Sequence, residues 1–195
     1  MGIKINDIHI NRMEPERGKL LVSEPFLEDP YFRRTVVLLS EHNEDGTVGF
    51  ILNKELETST DTLLPGMFDE NYPIFYGGPV EPETLHFIYT GKHQIPGAVP
   101  ICKDVFWGGD FEILINLLSQ KIIGQNDIRF FIGYSGWSKN QLNQEIEQLA
   151  WWVAKEKSAD ILFNTNSEEL WSAIVKSLGK SFEHLAKPPD DPRWN

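Results

Sequence analysis

Residues 128–152 read IRFFIGYSGWSKNQLNQEIEQLAWW, and the other segments have to be placed around them. Phe130-Phe131-Ile132 is a continuous apolar run, the pattern of a strand buried on both faces. Gly133 and Gly136 flank Tyr134-Ser135 and predict a tight turn, because glycine accepts backbone angles that a Cβ forbids. Ser138, with Gln141 three residues on, predicts a capping box and a helix start. Leu142, Ile146, Leu149 and Val153 recur at helical spacing and would give that helix one buried face. Strand, glycine turn and capped helix together would set free N–H groups at a sheet end, where α/β proteins tend to bind ligands.

On the N-terminal side, residues 19–23 and 34–40 are apolar and β-branched and predict strands, separated by a loop from Pro25 to Pro30. Asn43-Glu44-Asp45-Gly46 predicts a hairpin that pairs the second strand with residues 48–53. Residues 56–69 predict a short helix ending before Pro65-Gly66. Residues 73–76 and 85–89 predict strands on either side of Gly77-Gly78-Pro79. Residues 99–102 predict an edge segment, since Pro100 suits an edge. Asp110 predicts the cap of a helix over 111–121.

On the C-terminal side, residues 160–163 predict a short strand. Ser167 predicts the cap of a last helix with Leu170, Trp171, Ile174, Val175 and Leu178 inward and Gly179 at its end. Residues 1–17 are expected to form an N-terminal arm, and 187–195 a non-helical tail whose Trp194 packs back on the body. Many connections are too short for parallel crossovers. The expected fold class is therefore α+β: a mixed, mostly antiparallel and partly barrel-like sheet with helices packed around it, in a single domain over 1–195.

Eighteen basic against 29 acidic residues give a net charge of −11. Only Arg33-Arg34 place two basic side chains together, so direct nucleic-acid binding, which needs cations on phosphates, is disfavoured. Cys102 is the single cysteine, which excludes an internal disulfide and a thiolate–metal cluster; a buried, small, apolar role is expected. No run of about 18 apolar residues predicts a membrane-spanning helix, and the N-terminus lacks a signal-peptide core. A cytoplasmic location is the expectation, with no cofactor and no metal.

Four segments carry a resemblance. They are Gly18-Lys19-Leu20-Leu21-Val22 with Asp29-Pro30-Tyr31-Phe32-Arg33-Arg34; Glu41-His42 with Gly46, Gly49 and Leu52-Asn53; Gly77-Gly78-Pro79-Val80 with Leu85-His86; and Gly133-Tyr134-Ser135-Gly136-Trp137 with Gln141-Leu142 and Glu145-Ile146. In this order they resemble the bacterial YqgE/AlgH family across nearly the whole chain. The resemblance implies a compact cytoplasmic α+β domain and a transcriptional-regulator label. No helix-turn-helix or zinc finger stands in the sequence to read DNA directly.

The candidate ligand-binding cleft comprises Glu41, His42, Asn53, Gly77, Gly78, His86, Gly133, Tyr134, Ser135 and Trp137. The leading expectation is a non-enzymatic regulatory or binding module acting through protein contacts or a small ligand. A hydrolase or transferase using Ser135 or His42 is the alternative, and a nucleic-acid-binding regulator the third. The nucleophile elbow of hydrolases needs glycine where Trp137 stands, so an aromatic-plugged turn is the plainer reading. His42 and His86 lack metal-ligand spacing and read as hydrogen-bonded structural residues. Gly77-Gly78 could cradle an anion, although Pro79 lacks a donor. Asp29 is expected to pair with Arg33 or Arg34 and fix its loop. Trp151-Trp152 sit on adjacent faces of the expected helix, so one of them is expected to mark a protein contact.

Overall fold

The turn chemistry of residues 43–46 closes the hairpin as expected. β2 (Val36–His42) and β3 (Gly46–Ile51) pair antiparallel, with Val37 opposite Ile51 and His42 opposite Thr47. The Asn43 side-chain oxygen accepts from the N–H groups of Asp45 and Gly46. The structure, a computed structural model, describes residues 13–92, 94–155 and 157–186. The expectations for most of the N-terminal arm and for Trp194 lie outside those residues.

β1 (Leu20–Ser23) pairs with β2, and β10 (Trp151–Ala154) with β1, both antiparallel. On the other side β3 pairs with β9 (Ile128–Ser138), β9 with β6 (Val80–Thr90), β6 with β8 (Val105–Trp107) and β8 with β7 (Val99–Cys102). β5 (Pro73–Tyr76) lies parallel to the first half of β9 and carries β4 (Glu55–Ser59) antiparallel. The sheet is thus ten-stranded, mixed and mostly antiparallel, in the order β10-β1-β2-β3-β9-β6-β8-β7. It curls without closing: Gly18, at φ +85, lies against Cys102 of β7, yet no ladder among the described residues joins β10 to β7.

β9 is the hub because it changes partners along its length. Phe130, Phe131 and Ile132 lie beside Ile74, Phe75 and Tyr76 of β5, whereas residues 135–138 pair with residues 46–49 of β3. The change comes at Gly133, where φ is +64. Before it, alternate side chains serve two cores, as strand geometry requires. Phe130 and Ile132 join Tyr89, Leu114 and Leu118, while Phe131 joins Phe50, Val105 and Ile174.

Residues 133–153 depart from the expected turn and long helix. Residues 133–137 stay within β9, Gly133 alone among them at positive φ, and α3 covers only Gln141–Glu147, after Asn140 in the left-handed region. The ladder to β3 and the burial of Trp137 outweigh the local turn preference of two glycines. Leu149, at φ +65, ends the expected helix, and Trp151 to Val153 continue as a strand. Adjacent strand residues face opposite sides, so Trp151 joins Trp137 and Leu142 while Trp152 packs edge-on against Phe182 at 4.9 Å. Exposures of 2% and 8% leave neither indole for a partner, and the expected protein contact is withdrawn.

The other helices lie near their expected places, with one exception. α2 (Phe111–Ser119) is capped by Asp110, whose carboxylate accepts from the Ile113 N–H. α5 (Ser167–Ser177) is capped by Asn166, one residue earlier than read, and buries Leu170, Trp171, Ile174 and Val175. α1 (Thr60–Leu63) is a single turn. The exception is residues 160–163, which form α4 (Ala159–Asn164) instead of a strand; Ser158 caps its start and only Leu162 is buried.

Candidate functional site

Gly77, Gly78, Gly133 and Ser135 meet where β9 changes partners. The Gly77 N–H donates to Ile132 O at 2.9 Å, and Gly77 O accepts from Ile51 N at 3.0 Å. Ser135 Oγ donates to the same carbonyl at 2.9 Å. A Cβ on Gly77 would overlap the Gly133 carbonyl, and one on Gly78 would overlap the Tyr134 peptide. Backbone therefore lies on backbone, and the Gly77 donor that an anion cradle would need is already engaged with Ile132 O. Ser135 has no exposure and lies within a strand, so no nucleophile elbow is present.

His86 and Tyr134 lie beside this crossing, edge to face at 5.8 Å, with Phe50 at 5.4 Å and Trp107 at 6.1 Å from the imidazole. Thr84 Oγ1 donates its hydrogen to Glu81 O at 2.8 Å. Its 2.9 Å contact with His86 Nε2 must then be a bond donated by the ring, which assigns the Nε2–H tautomer. Burial holds His86 below its ordinary pKa, with Glu81 opposing.

Glu41 and His42 stand at the far end of the β2–β3 hairpin. His42 Nδ1 bonds Thr47 Oγ1 at 2.7 Å, and Glu41 accepts from the Asn43 amide at 2.6 Å. A groove of about 540 Å³ separates His42 and Thr47 from Lys139 and Asn140. Trp137 does act as a plug: it is 5% exposed, and its Nε1 donates to Glu145 Oε2 at 2.9 Å. The same oxygen accepts from Trp151 Nε1 at 2.8 Å.

Asn53 completes a ladder with its side chain, accepting from Val36 N at 2.8 Å and donating to Arg34 O at 2.9 Å. The ten candidate residues thus fall into three neighbourhoods: the glycine crossing with His86 and Tyr134, the hairpin end with Trp137 nearby on β9, and Asn53. The Asp29 carboxylate caps its own loop through the N–H groups of Tyr31 and Phe32. Neither Arg33 nor Arg34, its expected ionic partners, pairs with it among the described residues, and Arg34 lies over the Trp171 ring at 5.2 Å. Cys102 is half-buried and packs against the main core.

Asn53 opens onto a feature that the sequence reading missed. A cleft of about 900 Å³ runs between the β3–β4 connection, β5 and the start of α5, lined by Asn53, Lys54, Tyr76, Arg129, Asn166 and their neighbours. Arg129 is 7% exposed. Its Nη1 donates to Leu52 O at 2.6 Å and its Nη2 to Phe163 O at 2.8 Å. The guanidinium lies 4.6 Å from the Phe75 ring centre. Burial lowers its pKa to about 10, with Glu55 opposing, so it stays charged at neutral pH. One signal was present: a lone arginine inside an apolar run, where cations are seldom buried without a purpose.

Among the described residues, no three His, Cys, Asp or Glu side chains are grouped to hold a metal ion. No described helix is long and apolar enough to cross a membrane.

The comparisons with known proteins agree with this architecture. The AlgH-like family model matches residues 20–183. A UPF0301 protein of Chlorobaculum tepidum is 40% identical over 178 residues, covering 91% of this chain and 95% of its own. One from Bacteroides thetaiotaomicron is 39% identical over 189 residues, covering 96% and 95%. Among solved structures, the AlgH protein from Pseudomonas aeruginosa has a TM-score of 0.70 at 22% identity, over 92% of this chain and 98% of that one. A protein from Corynebacterium diphtheriae has a TM-score of 0.75 at 21% identity, over 91% and 94%. Both share the fold, and the sequence match over most of its length makes this chain a member of the AlgH-like family.

Proposed function

We propose that the chain is a non-enzymatic binding module of regulatory character, and that its small ligand sits in the cleft over Arg129. The observation that carries this reading is a buried, charged guanidinium facing a cleft large enough for a small molecule. The hydrolase alternative is disfavoured because the Ser135 hydroxyl is buried and held by the Gly77 carbonyl. Each histidine weighed for that chemistry is engaged with a threonine. A cytoplasmic regulatory role is what family membership favours.

The test is a ligand screen by amide-correlation NMR on the full chain. Binders are expected to move the resonances of Lys54, Tyr76 and Ser167 and to leave the screen chemically unchanged. Turnover of a screened compound that is lost in Ser135→Ala or His42→Ala would replace the module with a catalyst.

A further inference from the structure

We infer that the cleft accepts a single oxyanion, a carboxylate or phosphate group on a small molecule, with Arg129 as the residue that binds it. The inference rests on the binding-module reading and adds the chemistry of the ligand. A guanidinium carries five N–H donors. Arg129 commits one from each of Nη1 and Nη2 to the carbonyls of Leu52 and Phe163. No carboxylate among the described residues forms an ion pair with it, and Glu55 acts on it only from beyond that range. A cation more than nine-tenths buried against two carbonyls and the Phe75 and Phe163 rings, with no carboxylate in contact, is under-compensated, and a carboxylate or phosphate oxygen is the partner its fork fits.

Two features of the cleft point the same way. Lys54 lines it, with its ammonium held by Pro30 O at 2.9 Å and Tyr31 O at 2.8 Å, leaving one of three donors for a ligand. The first turn of the eleven-residue α5 also opens on it through Ser167, at the positive end of the helix dipole. Tyr76 offers a ring to the body of the ligand. Glu55 and Glu168 stand in the same lining and would repel a polyanion, so the ligand carries one anionic group and is not a nucleic-acid backbone.

The experiment titrates the full chain separately with inorganic phosphate and with acetate, at ionic strength held constant with chloride. The Arg129 Nε–H and the Ser167 amide are followed by NMR. A saturable shift of both with either anion is expected, and the anion that binds more tightly identifies the oxyanion class. Because Arg129 also holds α4, the variant that probes the site without opening the core is Lys54→Met; it should weaken binding by about tenfold at unchanged fold. Shifts no larger than chloride produces, or equal affinity in Lys54→Met, would overturn the inference. Neutral fragments moving the cleft while both anions stay silent would refute the oxyanion and keep the module. Silence from fragments and anions together would remove both.

Discussion

Ser135 and Gly77, 58 residues apart in the chain, are joined by a fully buried hydrogen bond of 2.9 Å from hydroxyl to carbonyl. The same carbonyl accepts from Ile51 N, so one oxygen ties β9, the segment after β5 and β3 together. Ser135→Ala removes one of two donors and leaves the carbonyl satisfied. It should cost about 1 kcal/mol and leave the fold intact. Urea unfolding measures this, and a loss several times larger would mean that the hydroxyl supports more than this crossing.

Gly77 itself has no such tolerance. A methyl group there meets the Gly133 carbonyl, a backbone atom that cannot rotate away. Gly77→Ala is expected to cost about 3 kcal/mol or more, at or above the upper end of what overpacked interiors show. Gly133→Ala should behave alike, since it adds a strained positive φ to contacts of 2.6 Å with Gly78 O and 2.8 Å with Val80 O. A soluble Gly77→Ala protein within about 1 kcal/mol of the parent would refute the backbone-on-backbone crossing.

Glu145 organises a second contact set. Its Oε2 accepts from Trp137 and Trp151, whose rings meet edge to face at 5.8 Å, and its Oε1 accepts from the Gln141 amide. Glu145→Ala leaves two buried indole donors without an acceptor and should cost about 2–4 kcal/mol. In a double-mutant cycle with Trp137→Phe, a coupling of about 1 kcal/mol is expected. Additive losses would show that the carboxylate does not join the two rings.

What could be read from the sequence divides along the same lines. The 43–46 hairpin was legible because turn residues and flanking β-branched strands lie within a few residues of one another. Residues 133–137 and 151–153 were not, because what keeps them extended comes from distant β3 and β1. Gly77, Gly78 and Gly133, which looked like turn-makers, are there because two backbones touch, which no local pattern records. Trp137 was legible as a plug, though its acceptor, Glu145, was not. Arg129 sits between Ile128 and Phe130, where no local pattern shows what buries it. Its partners, Leu52 and Phe163, lie 77 and 34 residues away, so only the folded chain shows why it is buried.

His86 gives the fold a defined response to acid. Burial among Phe50, Trp107 and Tyr134 lowers its pKa from 6.5, so the folded protein resists a proton that the unfolded chain accepts. Where the unfolded state binds more protons, stability rises with pH. The contribution of His86 is therefore complete above about pH 6.5 and is lost as the pH falls from there through its folded-state value. Urea midpoints at about pH 7.5 and 5.5 should show a larger acid-side loss for the parent than for His86→Gln, which has no titrating ring. The Nε2–H bond to Thr84 survives protonation, so the loss reflects desolvation of the cation and not rupture of that bond. An equal acid-side loss in the two proteins would place the titrating group elsewhere.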